Sequence, residues 1–329
     1  MKTLVTGGTG FVGANVVRLL LQRGIEVRAL VRPRSDTRNL DSLDVELVAG
    51  DLRDRVSLEA ALEGCDTVYH VAAMYALWTS DPRQIYDSNV TGTVNLLEAA
   101  GMAGVRRIVY TSSVATIGLP KDGTPATEEV ALRPEELVSD YKRSKYLAEQ
   151  EVLKYAQRGL PVVIVNPSFP VGAWDVKPTP SGQIIVNFLR GKIPAYVNTG
   201  LNVVDVEDVA LGHLLAAEKG RIGERYILGN ANLTLPAMFQ LLQQVSGVRA
   251  PSIRIPYGLA YLSACVSEFV ANTVTHTPPF VTLAGVKLSR KRMFFDASKA
   301  VRELGFPQTS ALEALRKAVE WFRRHGYAP

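Results

Sequence analysis

Tyr141 stands four residues ahead of Lys145 in the stretch "YKRSK". On a helix that spacing puts both side chains on one face, one turn apart. The pair suits proton transfer at an oxygen whose carbon gains or loses a hydride. A phenol with a pKa of about 10 is a poor base at neutral pH, but a neighbouring ammonium favours the phenolate and lowers that pKa. Such a pair arises by chance often enough to carry little alone. The chemistry also needs a group to orient the reacting oxygen, and "YTSS" (110–113) offers Ser112 and Ser113 where a strand-like run ends. In isolation either serine reads as a strand-end hydrogen-bonding residue. Rival chemistries are poorly supplied. The four histidines, at 70, 213, 276 and 325, show no metal-ligand spacing, so no metal is expected. Neither a G-x-S-x-G elbow nor a phosphate loop of the G-x-x-x-x-G-K-[ST] type is present.

A hydride needs a carrier, and the N-terminal stretch "TLVTGGTGFVGANVV" has the form of one binding site. A strand leads into a glycine-rich turn and then a helix, with Gly7, Gly10 and Gly13 spaced G-x-x-G-x-x-G. Glycines there allow a tight turn, close backbone approach to a pyrophosphate and close helix–strand packing. Gly7, Thr9, Gly10, Phe11, Val12 and Gly13 are the expected contacts of a dinucleotide. The second strand bears on which dinucleotide. Where an NAD binder usually carries an acidic residue for the ribose 2′-hydroxyl, this chain reads "LVRPRSDTR", with Arg32 at that place and Arg34 and Arg38 behind it. A guanidinium can clamp a 2′-phosphate, so NADP(H) is favoured over NAD(H). The alternative is a solvated arginine, with NAD held through Asp36 or another group. Asp51 and Leu52 follow the third strand, where a carboxylate can meet the adenine amino group.

The elements that position these groups alternate along the first two-thirds of the chain. Nearly continuous apolar runs at 2–6, 26–32, 45–50, 66–71, 106–113 and 161–166 read as strands buried on both faces. Helical patterns lie between them near 11–23, 54–63, 84–103 and 140–158. Repeated β–α units predict an α/β fold, a doubly wound parallel (Rossmann) sheet. After Asn166 comes a loop rich in proline and glycine (166–182), then mostly helical patterns near 183–190, 206–219, 234–246, 258–274 and 310–325, with strand-like "RYILG" at 225–229. The expected division is a nucleotide-binding domain of residues 1–167 and about 201–226, and a smaller substrate domain of 168–200 and 227–329.

Bulk properties narrow the partners. The chain has 329 residues, 47% hydrophobic and 21% charged, with a formal net charge of +5. Basic residues are dispersed and no aromatic-interleaved basic module is visible, so nucleic acid is not an expected partner. The largest cluster, "KLSRKR" (287–292), could hold a substrate diphosphate, with a solvated face as the default. Cys65 and Cys265 fit no metal or redox spacing and read as structural thiols of a cytoplasmic protein. The apolar stretch 257–275 contains Glu268 and Asn272, which argues against a transmembrane span. It reads as an amphipathic helix packed on a domain or dimer surface, with peripheral membrane contact left open.

With "TGGTGFVG", "GDLRD", "YHVAA", "NVTGTVNLLEAA", "VYTSSVA", "YKRSK", "NPS" and "VEDVALGHLLA" in this order, the chain resembles the extended short-chain dehydrogenase/reductases, the NAD-dependent epimerase/dehydratase group, over its full length. "LVRPRSDTRNL", "YTSSVATIGLPKDGTP" and "KPTPSG" are most similar to hopanoid-associated sugar epimerases and to dihydroflavonol reductases. The resemblance implies an NAD(P)-dependent oxidoreductase, epimerase or reductase, acting on a small-molecule substrate and assembling as a homodimer. The reaction expected is hydride transfer at a secondary alcohol or ketone of a sugar or nucleotide-sugar-like substrate. An NADPH-dependent reductase is the alternative, and a non-catalytic dinucleotide-binding regulator stands behind both. By the same resemblance Ser113, with Ser112 as runner-up, joins Tyr141 and Lys145 as catalytic, and Lys145 also meets the nicotinamide ribose. Ala72 and Ala73 would pass the cofactor, Pro167 and Ser168 would line the nicotinamide, and Asn89 reads as a structural link between helix and sheet. Two departures stand out: Arg32 replaces the usual acid, and Asp205 takes the place of a common histidine in "VVDVEDVA".

Overall fold

The apolar runs do become strands of a central sheet, mostly buried, except the run at 45–50, which forms an edge strand and is largely exposed. A computed structural model describes residues 2–75, 81–271, 273 and 282–329. In chain order the first half forms β1 (Lys2–Thr6), α1 (Phe11–Gln22), β2 (Glu26–Val31), β3 (Glu46–Ala49), α2 (Arg55–Leu62), β4 (Cys65–His70), α3 (Arg83–Tyr86), α4 (Gly92–Met102), β5 (Arg107–Thr111), α5 (Asp140–Gln157) and β6 (Val162–Pro167). A π-helical turn, Asp87–Thr91, joins α3 to α4, so the single helix expected near 84–103 is in fact interrupted. The second half forms β7 (Phe169–Val171), α6 (Pro180–Leu189), β8 (Ala195–Tyr196), β9 (Gly200–Asp205), α7 (Val206–Lys219), β10 (Arg225–Leu228), β11 (Ala231–Thr234), α8 (Leu235–Ser246), β12 (Ile253–Arg254), α9 (Tyr257–Val270), α10 (Leu283–Ser289), α11 (Ser298–Leu304) and α12 (Ala311–Arg324).

Seven strands pair in parallel in the order β10-β6-β5-β4-β1-β2-β3. The chain runs outward from β1 through β2 to β3, then returns to place β4 on the other side of β1. That reversal opens a crevice at the carboxyl ends of β1 and β4, the place where doubly wound sheets bind ligands. One face of the sheet is closed by a core that includes Val16, Leu20, Val209, Leu214 and Leu304. The other is closed by Leu58, Leu62, Leu96, Leu97, Ala148 and Val152. β10 rejoins this sheet beside β6, with Arg225 to Leu228 paired to Ile164 to Pro167.

A three-stranded sheet, β11-β9-β7, and helices α6, α8 and α12 share a third core around Phe188, Phe239, Leu242, Leu315 and Phe322. The helix expected over 258–274 appears as α9. Of the apolar stretch 257–275, residues 272, 274 and 275 lie outside the described residues, as does His276. No described helix is long and apolar enough to cross a membrane.

Candidate active site

The turn after β1 is built around positions where a side chain would not fit. Gly7 has a φ of +73°, and a Cβ on it would come within 2.6 Å of the Ala72 amide nitrogen. This close approach sets Ala72, just beyond β4, directly beside the turn, with Ala73 next along the chain. A Cβ on Gly13 would lie 2.1 Å from the Gly7 carbonyl oxygen, so α1 packs against the turn with no room between. Gly10 donates its amide to Gly7 O at 2.9 Å and begins α1 without a side-chain cap or an acid in the first turn. The first-turn amides and the positive end of the helix are therefore available to an anion. Phe11 is buried, and half-buried Val12 packs α1 against the core. Asn39 fixes the turn from the side by donating its Nδ2 to Thr9 O at 2.9 Å, and its Oδ1 is buried without a partner among the described residues. The backbone amides of this cradle fit a dinucleotide diphosphate, whereas Asn39 Oδ1, an acceptor, suits a hydroxyl donor of such a ligand and not its phosphates.

Arg32 follows β2, exposed and in no ion pair among the described residues; Arg34, also exposed, adopts a φ of +66°. Asp36, the acid that could have met a ribose hydroxyl, is taken by Arg38 at 2.7 Å and approached by Lys177 at 3.6 Å. Those hydrogen bonds hold its carboxyl well below the usual range. Asp51 is likewise gripped by Arg53 at 2.7 Å, which takes its carboxyl down to about 2. Its neighbour Leu52 is buried and accepts a hydrogen bond from Asn95 Nδ2 at 3.0 Å.

Ser139 caps α5 by accepting the Lys142 amide at 3.2 Å, which starts the helix with Tyr141 in its first turn. Tyr141 is half-buried, its ring 4.3 Å from that of Tyr75. Burial pushes the phenol up, and polar contact with the Ser113 side chain works against that rise. Lys145 is only 2% exposed. Its Nζ donates to Tyr110 Oη at 2.9 Å and to Thr111 O at 2.8 Å. Burial takes the amine down to about 7, while Glu149, one turn further along α5, favours its charge. The ammonium expected beside Tyr141 is thus bound to the end of β5, because Tyr110 and Thr111 present two oxygens to a buried amine that needs partners.

The remaining positions form the surround. Ser113 accepts the Ala115 amide at 3.1 Å, and its carbonyl is held by Asn166 Nδ2 at 3.0 Å. Asn166 also donates to Glu149 at 2.9 Å. Ser112 is buried and its Oγ has no partner among the described residues. Pro167 ends β6, and Ser168 donates its hydroxyl to Asn202 O at 2.8 Å. Asn89 is a structural link: it accepts the Met74 amide at 2.7 Å and donates to Ser144 Oγ of α5 at 3.0 Å. Asp205, in the place of the family's histidine, caps α7 by accepting the Glu207 amide and pairs with Lys317 at 2.8 Å. In the basic run, Lys291 is tied to buried Glu136 at 2.7 Å.

Sequence reasoning assigned no role to Tyr110, Glu149 or Asn166. Tyr110 looks like one more aromatic of an apolar strand. Glu149 was detectable, since Tyr141, Lys145 and Glu149 repeat at four-residue spacing on one face of α5. Behind them His70 shares hydrogen bonds with Thr93 Oγ1 (2.9 Å) and Thr6 Oγ1 (2.8 Å). His213 Nδ1 donates to Val209 O at 2.7 Å, leaving Nε2 to accept from Thr111 Oγ1 at 2.8 Å. Burial takes His70 down to about 3 and His213 down to about 4. Each therefore contributes stability that is lost as pH falls from the unfolded value of about 6.5 toward the folded one. In an NMR titration both rings keep neutral-form shifts down to about pH 5; a midpoint near 6.5 for either ring contradicts its neutral, bonded setting.

The profile of the "NAD dependent epimerase/dehydratase family" matches residues 3–229. A candidate dihydroflavonol 4-reductase of Synechocystis sp. is 51% identical over 98% of this chain and 95% of its own length. Sterol demethylase protein B of Methylococcus capsulatus is 40% identical over 99% of both chains. Among solved structures, a nucleoside-diphosphate-sugar epimerase from Pseudomonas aeruginosa matches with a TM-score of 0.83 at 28% identity, over 100% of this chain and 99% of its own.

Proposed function

We propose that this chain, which belongs to the NAD dependent epimerase/dehydratase family, interconverts a secondary alcohol and a ketone with Tyr141 as proton carrier. The observation that carries this reading is convergence. Ser113, Tyr141 and Lys145 meet at the carboxyl end of β5, on the edge of the sheet that also carries the glycine turn. Bound at that turn, the nicotinamide cofactor supplies the hydride acceptor or donor. Ser113 hydrogen-bonds the reacting oxygen and sets its position, and the Tyr141 hydroxyl gives or takes that oxygen's proton. Lys145, one helical turn away, favours the phenolate whenever its amine is charged, and Glu149 favours that charge. Gly7, Thr9, Gly10, Phe11, Val12 and Gly13 hold the pyrophosphate, with Ala72 and Ala73 alongside. Arg32 clamps a 2′-phosphate, which makes NADP(H) the preferred cofactor. Asp51 and Leu52 border the adenine, and Pro167 and Ser168 the nicotinamide.

The substrate class favoured is a sugar or nucleotide sugar, epimerised through a transient ketone, which the end-to-end match to a nucleoside-diphosphate-sugar epimerase supports. A second reading, net reduction with NADPH, is favoured by the exposed Arg32 and Arg34 and by the occupied carboxylate of Asp36. The nucleotide carried through purification separates the two: tightly held NAD marks an epimerase, and exchangeable NADP a reductase. A protein with no affinity for either nucleotide refutes both. Turnover is then sought with a keto nucleotide sugar, a dihydroflavonol and a keto sterol.

A further inference from the structure

Helix α9 is packed inside out. Its small residues Ala260 and Ala264 face the body of the protein, against Val286 of α10, while its large apolar residues face away. Leu259, Leu262, Val266 and Phe269 are 61%, 61%, 57% and 66% exposed. These positions recur at helical spacing, so they form one continuous outer stripe. Ile253, just before the helix, is 63% exposed and extends the stripe. Globular helices place such residues inward, and an exposed apolar patch of this kind marks an interaction surface.

The charge around the stripe says what covers it. Of the chain's 37 Lys and Arg, six lie between residues 247 and 292, and of its 32 Asp and Glu only Glu268 does, so this segment holds the whole formal surplus of +5. Glu268 is turned inward, accepting the Leu283 amide that begins α10 at 2.6 Å. Arg254, Lys287 and Arg290 are exposed beside the helix and form no ion pair among the described residues. Arg290 sits 5.9 Å from the Tyr257 ring, which neighbours Tyr261 along the same helix. A second copy of the chain would bring like charges together here. An apolar stripe with tyrosines and unpaired cations at its rim complements a bilayer of anionic lipid, with leucine and phenylalanine below the headgroups and the cations among the phosphates.

We propose that α9 docks this protein, in the plane of the membrane, on a bilayer surface that contains anionic lipid. This is independent of the reaction proposed above and gives an enzyme of this fold direct access to lipid-dissolved substrates. The test is sedimentation of the intact protein with phosphatidylcholine vesicles, with and without phosphatidylglycerol. Binding to the anionic vesicles is expected, and weaker binding to phosphatidylcholine alone. The double variant Leu262→Glu/Phe269→Glu reduces partitioning at least about tenfold. Each of Arg254→Ala, Lys287→Ala and Arg290→Ala reduces only the anionic component, by about fivefold. All these positions are exposed, so unchanged circular dichroism and NADPH binding confirm that the variants remain folded. Partitioning to neither vesicle, or equally to both, overturns the proposal. So does a concentration-dependent dimer, seen by sedimentation velocity, that the double variant dissociates.

Discussion

Tyr141→Phe lowers turnover by about 10²–10⁴-fold, the contribution of a positioned general acid–base group. The substitution removes one oxygen and keeps the ring, so the contact with Tyr75 at 4.3 Å and the start of α5 survive. Cofactor affinity therefore stays close to wild type, and the loss falls on kcat. That separation distinguishes a proton carrier from a packing residue, because a disturbed helix would also disturb Lys145 and the bound nucleotide. Steady-state kinetics beside a cofactor titration reads both quantities. Burial drives the phenol's pKa up, so the neutral hydroxyl is its resting form and donation to a forming alkoxide is the easier direction.

Arg32→Ala separates the two nucleotides. A charge-assisted contact with a 2′-phosphate is worth about 1.5–3 kcal/mol, which corresponds to a roughly ten- to hundredfold loss of NADPH affinity. NADH, which has no phosphate there, binds the variant and the wild type alike. The structure sharpens this expectation, because Asp36 is already neutralised by Arg38 and Lys177 and would hold a ribose hydroxyl poorly. Fluorescence titration of both nucleotides measures it. Equal affinity of the wild type for NADPH and NADH refutes the clamp.

Much of this site was legible because its chemistry is local. The glycine spacing, the strand ahead of it and the helix after it lie within one short stretch, and each glycine has a steric reason that sequence context already implies. Tyr141, Lys145 and the serines were legible in the same way, as residues placed at the ends of recognisable elements. What was not legible depends on contacts between distant segments. β9 was not among the expected strands, since its strand character is expressed through pairing with β7 and β11. The partners of Lys145 were also hidden, because whether a buried amine turns to Tyr141 or to Tyr110 is decided by the packing of α5 on β5. Asp205 could be seen to replace a histidine, but its ion pair with Lys317 spans more than a hundred residues. The outward face of α9 was read as amphipathic, yet only packing shows that the small side of the helix is the buried one.

In the reaction proposed above, this chain moves a hydride to or from a carbinol carbon while Tyr141 moves the proton. Its most direct test uses reduced nucleotide deuterated at the transferring position, NADPH where the nucleotide exchanges and NADH loaded into the protein where NAD is the one it holds, mixed with the purified protein and the three ketones named above. Deuterium is expected on a carbinol carbon of at least one product, with its near-complete absence on the same timescale with Tyr141→Phe. Deuterium that stays in the nucleotide with every ketone, or moves as fast in the variant as in the wild type, contradicts it.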